Sequence, residues 1–249
     1  MKASTRLPRF FLESPRGLGV GELVAIEGPA CHQIGRVLRL RSGQRVVLLD
    51  GSGGAGEAEL VSVGSERALA RVLQAAPCAP EPAISVTLLA AVLKGERQDW
   101  LVQKAVELGV ARVVPLLTER GVATANGAKP ERWRRIAREA AEQCERAVVP
   151  EVADPVSLKV VSWTGAKALA CTEREGRPLP ALLADGDREL ALLVGPEGGW
   201  TEAEHEWLAD RGAIDASLGP RILRAETAAL AALSTVMSHL SWRLETASR

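Results

Sequence analysis

The sequence predicts an α/β protein whose C-terminal domain carries a mostly parallel sheet and is preceded by a small β-barrel. Three observations carry that expectation. From Ile84 onward, continuous apolar runs alternate with stretches of helical period, the pattern of parallel strands joined by helices. Before Gln74 the apolar residues come in several short strand-like segments with one short helix or turn, which suits a small barrel. Between the two, residues 74–83 (QAAPCAPEPA) contain Pro77, Pro80 and Pro82 and read as a linker. The expected layout is therefore a barrel at 1–76, a linker at 77–83 and an α/β domain at 84–249.

The barrel strands are expected at Arg9–Leu12, Glu22–Ile26, Arg45–Asp50, Glu57–Val63 and Arg67–Leu73. Cys31–Arg41 reads as a short helix or turn followed by basic residues. Arg36, Arg39 and Arg41 lie close together there, as a solvated face or a phosphate-contacting patch. Gly51, Gly53 and Gly56 match the spacing of a dinucleotide fingerprint, but that fingerprint must open a helix. Here Glu57–Val63 alternates like a strand, so the stretch is read as a glycine-rich hairpin loop.

In the second part, Ile84–Leu93 is a continuous apolar strand and Gln98–Leu108 a helix closed by Gly109. Ala111–Leu117 is a strand. Glu131–Arg146 is a helix with Trp133, Ile136 and Ala140 on one face. Val148–Val152 is a short strand candidate, Leu158–Ser162 is ambiguous, Lys167–Cys171 is a strand and Leu179–Leu183 a short helix. The run Leu190–Val194 suits a strand buried on both faces. It stops at Gly195-Pro196-Glu197-Gly198-Gly199, after which Thr201-Glu202-Ala203-Glu204 has the pattern of a capping box that starts a helix. Gly212 ends that helix and Ala213–Leu218 is a second strand. A second glycine-bearing loop, Gly219–Arg224, leads into a long helix from about Glu226. Its apolar positions Leu230, Leu233, Met237, Leu240 and Leu244 recur at steps of three and four; periodicity does not separate a core face from a dimer interface. Two strands thus deliver two glycine loops to one end of a parallel sheet, where open α/β folds bind ligands.

Composition excludes several classes. Hydrophobic and charged contents of 47% and 25% are those of an ordinary globular protein. No apolar run is long enough to span a bilayer. Met1–Phe11 has basic residues without a following apolar segment, so no signal peptide is expected. The four cysteines, Cys31, Cys78, Cys144 and Cys171, form no CxxC pair and read as reduced thiols of a cytoplasmic protein; with three histidines, no metal site is expected. The net charge is zero. Residues 1–76 hold ten basic and seven acidic residues, too small an asymmetry to name a partner.

Four stretches together resemble one family: His32–Arg39; Lys94-Gly95-Glu96 through Gln103–Gly109; Glu139–Cys144; and GPEGG at 195–199 paired with LGPRILRAET at 218–227. They are similar to the RsmE family, rRNA methyltransferases of the SPOUT class, over about residues 6–240. The last pair is the specific one. The resemblance implies a PUA-like barrel that helps bind RNA and a SPOUT domain with a deep trefoil knot, a topology that chain patterning would not suggest because true knots are nearly absent from proteins. It also implies a homodimer, S-adenosylmethionine as cofactor, and methylation of N3 of a uridine in 16S rRNA of the small ribosomal subunit (family position uracil-1498).

Under that resemblance the cofactor-binding residues are Val194, Gly195, Pro196, Glu197, Gly198 and Gly199 in the first loop and Leu218, Gly219, Ile222 and Leu223 in the second, which would frame the adenine partly through backbone groups, with a third wall at Cys171, Thr172 and Glu173. Glu197 is equally readable as a loop anchor. Arg224 is the residue expected to meet the target nucleotide or the negative charge that N3 gains on losing its proton. Glu226 is the candidate general base, although a carboxylate at a helix start is favourable for its own sake. Arg9, Arg36, Arg39 and Arg221 are the expected RNA contacts. With no tyrosine and two phenylalanines, a flipped-out uridine held by arginine and backbone is expected. Two other readings stay open: a related enzyme modifying another RNA position, and a ribosome-binding assembly factor.

Overall fold

The computed structural model describes residues 7–13, 18–121, 129–173 and 176–241. The chain forms two compact units, one of Met1–Glu81 with Ala141–Val149, the other of Pro82–Ala140 with Pro150–Arg249. The chain first passes between them within the proline-bearing stretch; the return of Ala141–Val149 to the first unit has no counterpart in the sequence reading.

In the first unit the strands β1 (Arg9–Phe11), β2 (Leu23–Glu27), β3 (Arg45–Leu49), β4 (Ala55–Val63) and β5 (Arg67–Ala75) form one sheet in the order β1-β3-β4-β5-β2. β1 runs parallel to β3 and the other pairs are antiparallel. Alternate residues such as Val46, Leu48, Ala58, Leu60, Ala68 and Ala70 point to one core, which is closed by Ala30 and Cys31 of the short helix α1 (Gly28–His32) and by Ile34. The glycine-rich stretch is indeed the β3–β4 hairpin loop. Asp50 holds it by accepting from the amides of Ser52 and Gly54, both at 2.8 Å. Glu142 accepts a 3.0 Å bond from the Phe11 amide, a role the sequence did not suggest.

The second unit is built on an eight-stranded, all-parallel sheet. Its members are β6 (Ser85–Ala91), β7 (Arg112–Leu117), β8 (Glu151–Val152), β9 (Val156–Ser157), β10 (Lys167–Thr172), β11 (Arg177–Pro178), β12 (Glu189–Val194) and β13 (Ile214–Ser217). The order is β11-β13-β10-β12-β6-β7-β8, with β9 also paired to β7. β12 lies between β10 and β6, which is why Leu190–Val194 is apolar at every position: all five residues are buried. The helices are α2 (Glu96–Glu107), α3 (Pro130–Cys144), α4 (Glu202–Asp210) and α5 (Ala225–Val236), the last continued by a wider turn at Met237–Ser241. α5 packs on β6, β12 and α2. Leu233, Met237 and Leu240 are buried within the chain, so these members of the apolar stripe are core; Leu244 lies outside the described residues. Among the described residues no helix is long and apolar enough to cross a membrane.

Candidate functional site

Three strand ends meet at one level. Cys171 of β10 pairs with Val194 of β12 on one side and with Ala216 of β13 on the other. The loops after Thr172, Val194 and Ser217 therefore leave the carboxyl edge of the sheet side by side, the edge at which such sheets bind ligands. The two glycine loops are not direct neighbours, because β10 separates their strands.

The first loop is held from three directions. The Gly199 amide donates to the Pro196 carbonyl at 2.9 Å, and Gly199 has φ +69°, a conformation that disfavours other side chains. The indole N–H of Trp200 donates to the Cys171 carbonyl at 3.2 Å, joining this loop to the one after β10. Arg120 Nη1 donates to the carbonyls of Gly198 (2.8 Å) and Trp200 (3.2 Å). A Cβ on Gly195 would fall 3.1 Å from the Trp200 ring, closer than nearly all real contacts. Behind the loop the capping box forms as the sequence predicts, Thr201 and Glu204 each bonding the other's backbone. Glu204 is 1% exposed, and its other oxygen accepts from the Glu119 amide at 2.8 Å.

These loops enclose a cavity of about 400 Å³. Its walls include Cys171, Thr172, Glu173, Val194, Gly195, Pro196, Glu197, Gly198, Gly199, Leu218, Gly219 and Leu223, all singled out in the sequence, and Arg221, singled out there for RNA. Gly219, at φ +114°, turns the second loop into the cavity. Ile222 is not among the wall residues and is 58% exposed, so its side chain is turned outward and any part in framing a ligand would fall to its backbone. Arg224 and Glu226 stand beside the cavity rather than on its wall. Arg224 is the exposed N-cap residue of α5, and Glu226 sits buried in that helix's first turn.

Sequence reasoning missed Arg120, Trp200 and His205 as wall residues. His205 Nε2 lies 2.9 Å from Asp215, which fixes its ring. The nearest sequence signal was the position of Trp200 directly after GPEGG; Arg120 carried none, being brought in from a different strand end.

Charge at the rim is shared by three residues. Arg97, in the first turn of α2, hydrogen-bonds Glu197, and its Nη1 lies 3.8 Å from Glu226. This contact favours the loop-anchor reading of Glu197. Burial pushes the Cys171 thiol up to about 12. Alkylation by iodoacetamide at pH 8, followed by peptide mass spectrometry, is expected to label the partly exposed Cys78 and Cys144 well before Cys171, since the thiolate is the reactive form.

Of the residues expected to meet RNA, Arg36 and Arg39 are exposed on the first unit, Arg39 with φ +52°. Arg9 differs. Its side chain is 9% exposed and is spent on the Pro77 carbonyl at 3.0 Å and on Glu145 at 3.5 Å. β1 carries this guanidinium inward, so it ties down the chain instead of facing solvent.

Comparison with known proteins agrees with this geometry. A model of the RNA methyltransferase domain matches residues 80–237, and a model of the RNA methyltransferase PUA domain matches residues 28–73. The chain is 38% identical over 212 residues to the ribosomal RNA small subunit methyltransferase E of Synechocystis sp., covering 82% of this chain and 69% of the relative. It is 31% identical to the enzyme of the same name from Bacillus subtilis, covering 92% and 96%. A crystal structure of ribosomal RNA small subunit methyltransferase E from Neisseria gonorrhoeae, bound to S-adenosyl methionine, superposes with a TM-score of 0.86 at 32% identity, covering 94% of this chain and 98% of that one. A putative methyltransferase from Legionella pneumophila, with S-adenosylmethionine bound, gives the same TM-score and coverage at 30% identity. With its PUA-type sheet, its parallel α/β unit and its paired glycine loops, the chain belongs to the RsmE family of SPOUT-class ribosomal RNA methyltransferases.

Proposed function

We propose that the cavity at the carboxyl ends of β10, β12 and β13 binds S-adenosylmethionine, and that the chain methylates N3 of a uridine in 16S rRNA, the family position uracil-1498. The observation that carries this reading is the convergence of three strand-end loops, two of them glycine loops, on one cavity of about 400 Å³. That volume lies in the range of small-molecule sites, roughly 300–1,000 Å³. The walls suit such a ligand. Gly195 and Gly199 leave room for close approach of backbone, Val194, Leu218 and Leu223 give apolar surface for a purine, and Glu173 brings a carboxylate.

When bound, S-adenosylmethionine supplies an electrophilic methyl group on its sulfonium, so that a neutral thioether remains after transfer. The chain's own residues do the rest. The glycine loops hold the cofactor so that the attack is in line. Glu226 takes the N3 proton at its carboxylate, because neutral uracil N3 is a poor nucleophile. Arg224 faces the negative charge that spreads over the uracil ring as that proton leaves. Arg221, Arg36 and Arg39 contact RNA phosphates. The resemblance further supports a trefoil knot around the site, action as a homodimer, and a cytoplasmic location.

Calorimetric titration tests the cavity directly. The wild-type chain is expected to bind one S-adenosylmethionine, and Gly195→Ala to lose affinity by about tenfold, because overpacking against Trp200 costs roughly 1–3 kcal/mol. Equal affinity in both proteins would place the ligand elsewhere.

A further inference from the structure

We propose that Arg97 is a positioning residue that links the first glycine loop to Glu226; the inference rests on the methyltransferase reading above. Arg97 lies on neither glycine loop. It is in the first turn of α2, where a cation opposes the helix dipole. Glu96 and Asp99 share that turn, yet Arg97 turns to two carboxylates from distant parts of the chain, hydrogen-bonding Glu197 and lying 3.8 Å from Glu226.

The way the two acids are held differs, and the difference suggests the role. Glu197 is 42% exposed and receives a direct hydrogen bond, as befits an anchor for the loop that carries Gly195, Gly198 and Gly199. The Glu226 side chain is 10% exposed, and its Oε2 is buried with no hydrogen-bond partner among the described residues. A buried carboxylate oxygen without a partner is costly and uncommon. The guanidinium is near enough to Glu226 to offset its charge and too far to occupy that oxygen with a hydrogen bond. Oε2 thereby keeps an unused acceptor position, which the N–H of a uracil would take once the groups that now cover it move aside. Gln98, the next residue, is 1% exposed and accepts from the Leu93 amide at 2.9 Å, which ties the start of α2 to the end of the preceding strand segment.

The two arms of Arg97 predict separable effects. Glu197→Gln removes one arm only. It is expected to weaken S-adenosylmethionine about threefold to tenfold, the size of a partly exposed charged hydrogen bond, and to lower saturating kcat by clearly less than Arg97→Met does. Arg97→Met removes both arms. It is expected to weaken the cofactor by the same factor and, in addition, to lower saturating kcat by about tenfold or more, the scale of a mispositioned base. The double variant should bind the cofactor no more weakly than Arg97→Met, because both changes break the same contact. Arg97→Lys should recover most of the lost cofactor affinity, since an ammonium can serve Glu197, but less of kcat, since it is a compact charge that cannot span both acids.

The measurements are calorimetric Kd for S-adenosylmethionine and methyl transfer to unmodified small ribosomal subunits, on the full chain. Non-additive binding losses for Glu197 and Arg97, with a clearly larger kcat defect in Arg97→Met than in Glu197→Gln, support the assignment. Additive binding losses, or an Arg97→Met protein with kcat and Kd within twofold of wild type, overturn it. A variant that fails to fold is replaced by Arg97→Lys, for which full recovery of neither quantity and an equal drop in both would also overturn it. A wild-type chain that binds no cofactor refutes the methyltransferase reading itself, and is recognised before any variant is made.

Discussion

Replacing Arg224 by alanine is expected to lower kcat for methyl transfer by about 100-fold to 1,000-fold, the usual cost of removing one group aimed at developing charge. The cofactor Kd should stay within about twofold, because Arg224 is not on the cavity wall. Stability should stay within about 0.5 kcal/mol, because the side chain is exposed. The position explains the split. Arg224 is the N-cap of α5, directly after the loop that forms one wall and two residues before Glu226. It stands beside the cavity and not on its wall. Single-turnover kinetics with saturating cofactor separate the two quantities; a variant that loses affinity and rate in equal measure would make Arg224 a cofactor residue.

The second large effect is structural. Glu204→Ala is expected to destabilise the chain by about 3 kcal/mol, read from the denaturation midpoint at constant slope. The buried carboxylate accepts from the amides of Thr201 and Glu119, at 2.9 Å and 2.8 Å. Alanine leaves both amides without a partner, each costing roughly 1–3 kcal/mol, and it removes the capping box. Glu204→Gln keeps an acceptor oxygen and should lose about half as much. The consequence reaches the site, because Thr201 follows Trp200, whose indole ties two cavity loops together. Cofactor affinity should therefore fall with Glu204→Ala, and a cosolvent that restores stability should restore it in part.

Much of this molecule was legible from local pattern. The run at Leu190–Val194 announced a strand buried on both faces, and the structure places it between two parallel neighbours. Thr201 and Glu204 announced a capping box, whose geometry depends on residues three apart. The glycine stretch at 51–56 was separable from a cofactor loop because a strand, not a helix, follows it. What escaped is set by tertiary pairing. Nothing near Arg120 says that it will reach the Gly198 carbonyl, 78 residues on, and nothing near Arg97 points to Glu197, 100 residues on. The insertion of β10 between β12 and β13 is likewise a matter of sheet order, which periodicity does not encode. Arg9 and Ile222 mark the opposite limit. Arg9, expected to meet RNA, has its side chain mostly covered beside Glu145, and the side chain of Ile222, expected to help frame the cofactor, is turned to solvent.

The proposed uridine-N3 methyl transfer at these loops is tested by incubating the wild-type and Arg224→Ala chains with labelled S-adenosylmethionine and small ribosomal subunits lacking their modifications, then identifying the labelled nucleoside by mass spectrometry. 3-Methyluridine at a single site is expected with the wild-type chain, and nearly none with Arg224→Ala. A different methylated nucleoside, or tight subunit binding without any transfer, would contradict it.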